Sequence, residues 1–310
     1  MKKVYNLGVI GLSPGNGHPY SWAAIFNGFN KEEMAKCPFP VIPEYLGKQD
    51  PATMRIEEGK VTHIWTQDPD VSKQVVRASL IENVVEKAED LIGEVDAVLL
   101  ARDDGENHLK MARPFIEAEV PILIDKPLTD QAADLKEFAR YYREGKKILS
   151  CSSARYAKSI TDLKERNDLG RILTASGVTP KYWRTYGIHT IEAIYAVMGG
   201  GLESVQNVGR HNEEIVHLKY ADGRHAVIQA FAGIRRGNLT FYGENGTASP
   251  SDPDAFFQFK AMLRSFIRML DTGAPSFDWR ETVEMAKVVI AGRMSQEEGG
   301  RKVLLKEIPA

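Results

Sequence analysis

Apolar residues in the first half of the chain fall into short, nearly continuous runs at positions 4–10, 61–66, 95–101, 120–124 and 147–152, with a weaker run at 81–85. Such runs read as strands buried on both faces. Helical spacing fills the gaps. Residues 23–34 carry Ala24, Ile25, Phe26 and Phe29, and Asp68-Pro69 opens a helix to about residue 78. Further helices are predicted over 87–92, 109–118 and 131–145. The last has a Leu135, Phe138, Ala139 and Tyr142 stripe suited to core packing. Strand and helix in alternation predict a parallel, doubly wound sheet with right-handed crossovers. Residues 39–60, rich in proline and charge, interrupt it as an excursion.

The second half has a different rhythm. Strands are predicted over 172–178, 202–209, 214–220, 225–231 and 238–242, with Asp222-Gly223 as a hairpin turn. Helices follow at 256–270 and 279–294, separated by Gly273-Ala-Pro275, and a strand returns at 303–308. The change of pattern places a domain boundary near residue 150, dividing 1–150 from 151–310. A chain of 310 residues has room for both.

Composition narrows the function. A net charge of -2 argues against a general nucleic-acid or anionic-membrane binder. Cys37 and Cys151 lie far apart, with no Cys-x-x-Cys or Cys/His spacing, so no structural metal is expected. No apolar run approaches membrane-spanning length, and the Met-Lys-Lys start precedes no small-residue cleavage site. The expectation is a reduced, cytoplasmic protein.

Two stretches carry candidate chemistry. The first strand runs into Gly11-Leu-Ser13-Pro-Gly15-Asn16-Gly17-His18, a glycine-rich turn before a helix. Glycines let a backbone approach a diphosphate, and helix N–H groups hold the anion. The turn departs from GxGxxG: Ser13 stands at the second glycine, Pro14 follows, and the remaining glycines are displaced to Gly15 and Gly17. His18 either faces the ligand or caps the helix. The ribose-reading position at the end of the second strand falls on Thr66, with Gln67 next and no adjacent arginine, which leaves NAD or NADP open. Arg102 follows the fourth strand, and His108 opens the next helix, where it lines the cofactor groove or caps. The second stretch is Ile124-Asp-Lys126-Pro127. It sets a lysine just past the carboxyl end of a buried strand, where open parallel sheets bind ligands.

Together these residues resemble one family. Gly8-Val-Ile-Gly11, Val95-Asp-Ala-Val-Leu-Leu-Ala with His108, Ile124-Asp-Lys-Pro127 at its Glu-Lys-Pro, and Gly187-Ile-His189-Thr-Ile-Glu192 are similar to motifs of the Gfo/Idh/MocA oxidoreductases, in order along the chain. The resemblance implies an α/β Rossmann domain, then an α+β domain on a large, open, mostly antiparallel sheet. It also implies NAD or NADP as cofactor, a sugar or cyclitol substrate, and a homodimer or homotetramer whose partner covers the open sheet.

By that resemblance Lys126 and His189 are the catalytic candidates. Gly11, Ser13, Gly15, Asn16, Gly17, His18, Thr66, Arg102, His108 and Lys126 are the cofactor-binding set. Arg155, Tyr156, Trp183, Arg184, Tyr186 and His189 are the substrate-binding set. The family commonly has an aspartate four residues before the histidine, and this chain has Thr185. A lysine with an ordinary pKa of about 10.4 acts as a base only if its charged form is destabilised. Otherwise Lys126 is a donor and His189, with an ordinary value of about 6.5, is the base. Arg184 or Lys181 is expected to meet an anionic substrate group. Hydride transfer to or from a CH–OH carbon is the function implied. The alternatives are a cofactor-binding regulatory protein without chemistry, motivated by Ser13-Pro14 and Thr185, and an NAD-dependent glycosidase of the same fold.

Overall fold

The computed structural model describes residues 3–251 and 254–310, so the Met1-Lys2 start lies outside the described residues. In chain order the elements are β1 (Tyr5–Gly11), α1 (His18–Asn27), α2 (Lys31–Met34), α3 (Val41–Leu46), β2 (Gly59–Thr66), α4 (Pro69–Ser79), β3 (Asn83–Val84), β4 (Ala97–Leu100), α5 (Gly105–Glu117), β5 (Ile122–Ile124), α6 (Ala132–Arg143) and β6 (Ile148–Ser150). They continue with α7 (Lys158–Lys164), β7 (Ile172–Pro180), α8 (Ile188–Met198), β8 (Leu202–Asn207), β9 (Glu213–Tyr220), β10 (His225–Phe231), β11 (Asn238–Gly243), β12 (Gly246–Ala248), α9 (Ala255–Thr272), α10 (Trp279–Glu297) and β13 (Val303–Leu304).

Two compact units emerge, and the chain passes between them more than once. The first comprises residues 1–125, 141–150 and 254–276; the second comprises 126–140, 151–253 and 277–310.

The first unit is built on a six-stranded sheet in the order β3-β2-β1-β4-β5-β6, every pair parallel. The order reverses between β1 and β4, which puts the loops after Gly11 and Leu100 side by side at the switch point. Leu7, Val9, Ile10, Ala97 to Leu100 and Ile122 to Ile124 are fully buried, as continuous apolar runs between helical layers require. Helix α1 starts at His18, five residues earlier than the apolar spacing alone predicts. Pro19 in its first turn needs no N–H partner there and brings a preset φ. Helix α5 likewise starts early, at Gly105, so His108 lies inside its first turn rather than opening it.

The excursion at 39–60 is ordered. Ile42 and Leu46 of α3 are buried, and Phe39 and Ile42 press on the turn after β1: a Cβ on Gly17 would stand 2.5 Å from both side chains. Helix α9, far along the sequence, belongs to this unit. Its Ile267 lies 3.2 Å and Phe26 lies 2.9 Å from the space a Cβ on Gly59 would fill.

The second unit holds a seven-stranded sheet in the order β12-β11-β7-β10-β9-β8-β13. Only β7 and β10 pair in parallel; the other pairs are antiparallel. Alternation is clear: Val216, Leu218 and Tyr220 of β9 and Ala226, Ile228 and Ala230 of β10 are buried, while Ile215 and Tyr242 on the other face are exposed. Helices α8 and α10 belong to the buried side, α10 packing on β8 and α8 on β7.

Helix α8 is buried on nearly every side, so it lacks the polar stripe by which a surface helix is read from sequence. The predicted strand at 303–308 is shorter, with Leu305–Glu307 turning as a 3₁₀ helix because the Glu307 carboxylate accepts the Leu304 N–H at 2.7 Å. No helix among the described residues is long and apolar enough to cross a membrane.

Gly11 sets how closely α1 approaches the sheet. A Cβ there would lie 2.3 Å from Pro19 Cγ, an atom of a rigid ring. Gly11→Ala is therefore expected to destabilise the protein by about 1–3 kcal/mol, the usual cost of overpacking. Denaturant unfolding measures it, and an unchanged midpoint would mean that helix and sheet are not in contact through this residue.

Candidate active site

In the first unit the site is the loop between β1 and α1, held from two sides. On one side Gln67, just past β2, clasps Leu12: its Oε1 accepts the Leu12 N–H at 3.0 Å and its Nε2 donates to the Leu12 carbonyl. The Ser13 hydroxyl donates to Asp103 Oδ1 at 2.6 Å and accepts the Asp103 N–H at 3.0 Å, joining the loops at the switch point. Gly15, at φ +82°, forms the crest, and nothing lies within 4 Å of where its Cβ would be.

On the other side stands Asp125, directly after β5 and 2% exposed. Its Oδ2 accepts from Asn16 Nδ2 at 2.8 Å and meets His18 Nδ1 at 2.5 Å. The Asn16 amide oxygen in turn accepts the His18 N–H at 2.8 Å. The His18 ring stacks on Trp22, centroids 4.9 Å apart, and takes Phe259 of α9 edge-on at 5.0 Å. A buried carboxylate is costly unless hydrogen-bonded, so these bonds fix the turn and the acid together.

In the second unit Lys126, 4% exposed, donates to the Thr185 carbonyl at 3.3 Å, and its ammonium lies 5.1 Å from the centre of the Tyr186 ring. Tyr186 stands edge-on to His189 at 5.1 Å, and Lys181 donates to its hydroxyl. His189 Nδ1 meets the Ser152 hydroxyl at 2.6 Å. Glu192, one turn along α8, takes the Ser152 N–H at 3.2 Å and the Arg155 Nε–H at 2.5 Å, while Arg155 Nη2 reaches Glu281 at 2.7 Å. Burial lifts the Glu192 carboxyl above its usual range, against the pull of Arg155.

The predicted residues thus separate into those these clusters gather and those they do not. Gly11, Ser13, Gly15, Asn16, Gly17, His18 and Arg102 form one cluster; Lys126, Tyr186, His189 and Arg155 form another. Thr66 is not turned toward a ribose: it is buried, its hydroxyl donating to the Asp68 carbonyl at 2.6 Å and paired with Ser72 at 2.8 Å. His108 is fully buried, with Nε2 3.0 Å from the Arg102 carbonyl, so it braces the loop rather than lining a groove.

Trp183, expected in the substrate-binding set, is 3% exposed. Its Nε1 donates to the Val289 carbonyl at 3.0 Å, and its ring occupies the space that Cβ atoms on Gly187 and Gly292 would fill. Arg184, expected to meet a substrate anion, forms an ion pair with the buried Asp130. Tyr156 is half-buried, its hydroxyl 4.0 Å from Cys151 Sγ. Gln67, Asp103 and Ser152 were missed because each acts through a partner distant in sequence. Asp125 was legible, since it stands at the glutamate position of the lysine motif, at the end of a strand.

A parallel sheet in this strand order, with a glycine turn at its switch point, is the build of a dinucleotide-binding domain. Residues 6–153 match the family model Gfo/Idh/MocA, described as the oxidoreductase family with an NAD-binding Rossmann fold. The fold and the nicotinamide dinucleotide expected from the sequence are thereby borne out.

Solved structures extend the likeness to nearly the whole chain. A probable dehydrogenase from Thermotoga maritima shares 16% identity over 98% of this chain and 99% of that one, with a TM-score of 0.75. A myo-inositol dehydrogenase from Lactobacillus casei, in complex with NAD(H) and myo-inositol, shares 16% over 98% and 97%, with a TM-score of 0.75. A scyllo-inositol dehydrogenase from the same organism, with bound NAD(H) and scyllo-inositol, shares 13% over 98% and 100%, with a TM-score of 0.77. At such identities the likeness is one of fold. No curated protein sequence matches the chain.

Asp125→Ala leaves the Asn16 amide and the His18 ring without this acceptor. The expected loss of stability is about 1–3 kcal/mol, the scale for leaving buried hydrogen-bond donors without their acceptor. Unfolding in denaturant measures it; a loss below 1 kcal/mol, on the scale of an exposed ion pair, would show that the turn is held elsewhere.

Proposed function

We propose that the protein is an NAD(P)-dependent dehydrogenase or reductase acting on a CH–OH or keto carbon of a sugar, nucleotide sugar or cyclitol. The observation that carries this reading is the grouping of Lys126, Tyr186 and His189 within one unit, with Lys126 on the residue directly after the acid that anchors the glycine turn. The inositol dehydrogenases of the same fold support the substrate class.

The loop after β1 fits a dinucleotide through its open crest at Gly15 and its place at the switch point. It does so with few helix donors. The His18 N–H is taken by Asn16, Pro19 has none, and the Tyr20 N–H turns back to the Gly17 carbonyl at 3.1 Å. The crest and the side chain of His18 are the groups that would hold the diphosphate.

When bound, the nicotinamide supplies the two-electron acceptor or donor. The chain handles the proton and the oxygen. Lys126, anchored by the Thr185 carbonyl, directs an ammonium N–H at the reacting oxygen and offsets the charge that grows there. His189, held at Nδ1 by the Ser152 hydroxyl, accepts the hydroxyl proton on Nε2 in the tautomer that carries its proton on Nδ1, and returns it in the reverse direction. Tyr186, between the two, packs its ring face against the Lys126 ammonium.

The outward face of the second sheet, with Ile215 and Tyr242 exposed, suits a second copy of the chain, so a homodimer or homotetramer is part of the reading. The buried Cys37 and Cys151 thiols suit a reducing cytoplasm.

Lys126→Ala is expected to lower turnover by about 10²–10⁴-fold, the range for losing a positioned acid–base group, and to spare NADH binding. Nicotinamide fluorescence reports the binding, and cofactor reduction across a panel of sugars and cyclitols reports the turnover. Retained turnover would remove Lys126 from the mechanism.

A further inference from the structure

The sequence shows no arginine next to Thr66 and Gln67 at the end of β2, where Rossmann sheets read the ribose 2′ position. The fold supplies one from elsewhere. Arg102, just past β4, brings Nη1 to 3.0 Å from Gln67 Oε1 and 3.1 Å from the Leu12 carbonyl. An arginine in this neighbourhood is what a fold uses to take a 2′-phosphate.

This one is already occupied. Its Nε and Nη2 fork onto the two carboxylate oxygens of Asp104 at 2.9 and 2.5 Å, and the side chain is 11% exposed. Asn107 adds a hydrogen bond to the same carboxylate at 2.7 Å. Burial pushes the Asp104 carboxyl upward, but the hydrogen bonds from Arg102 and Asn107 outweigh it and hold the group below its usual range, so it stays ionised. A bidentate carboxylate uses the guanidinium edge that a phosphate needs, and it stands as a like charge where the phosphate would enter.

We infer that Asp104 sets cofactor choice: by holding the Arg102 fork it selects NAD(H) over NADP(H). Arg102 then serves the turn, tying Leu12 to Gln67, and a ribose with a plain 2′-hydroxyl meets no charge conflict. The inference rests on the reading of this unit as a dinucleotide site, and its test separates the two.

NADH and NADPH titrations of the intact protein, followed by nicotinamide fluorescence, are expected to give at least about tenfold tighter binding of NADH, the scale of one charge-assisted hydrogen bond. Asp104→Asn is expected to cut the ratio of the NADPH to the NADH dissociation constant about tenfold or more by freeing the fork. Adding Arg102→Gln to that variant should cancel the gain. Competition of 5′-ADP and 2′,5′-ADP against NADH in the unmodified protein gives the same answer without a variant, with 5′-ADP expected to win. Tighter NADPH binding, a winning 2′,5′-ADP, or an Asp104→Asn ratio unchanged in a folded variant would overturn the inference. Binding of neither dinucleotide would overturn the underlying reading instead.

Discussion

The carboxylate of Asp125 is the constraint on which the turn between β1 and α1 depends. A strand buried on both faces ends, one residue later, in a charge that is 2% exposed. Such a group is tolerated only with its oxygens satisfied. Asn16 and His18 satisfy it, and in doing so they fix the entry to α1. The next residue in the chain is Lys126.

Two departures from the family pattern become one in this light. The chain has aspartate where Glu-Lys-Pro has glutamate, and a longer turn where GxGxxG is usual. An acid shorter by one methylene reaches less far from its strand, and the longer turn carries Asn16 and His18 to meet it. The displaced glycines follow from the same geometry. Gly15 gives the crest its positive φ, and Gly17 admits Phe39 and Ile42 of the excursion. Neither position is a GxGxxG glycine in another register: Gly15 supplies a backbone angle, and Gly17 answers a contact with the excursion.

The period of the apolar pattern made the first sheet legible, because parallel strands buried on both faces have no competing reading of that length between helices. Helix α8 was harder for the opposite reason: with apolar residues all round, its sequence carries no direction. At the site, Lys126 and His189 were readable from local motifs, and Gly15 from the turn. Trp183 was misread because exposure cannot be inferred from a loop-like setting. The two glycines that make room for its ring lie four and more than a hundred residues away. Gln67, Asp103 and Ser152 are invisible for a similar reason. A side chain whose whole function is one hydrogen bond to a distant residue leaves no periodicity and no spacing.

The loss of the aspartate at position 185 has a structural answer in the same terms. Thr185 contributes its backbone rather than a charge, accepting the Lys126 N–H through its carbonyl. Negative charge is present near His189 but one residue removed: Glu192 holds the Ser152 N–H, and the Ser152 hydroxyl meets His189. A hydroxyl differs from a carboxylate in a way that matters for a base. It both donates and accepts, so it fixes the ring's position without fixing which nitrogen bears the proton. Arg155 completes the arrangement by pairing Glu192 with Glu281, so the buried charge is balanced without a cation being drawn from the substrate side. The histidine is therefore oriented by a neutral partner, while the positive charge gathers on Tyr186 beside it, with the Lys181 ammonium 4.1 Å and the Lys126 ammonium 5.1 Å from the centre of its ring.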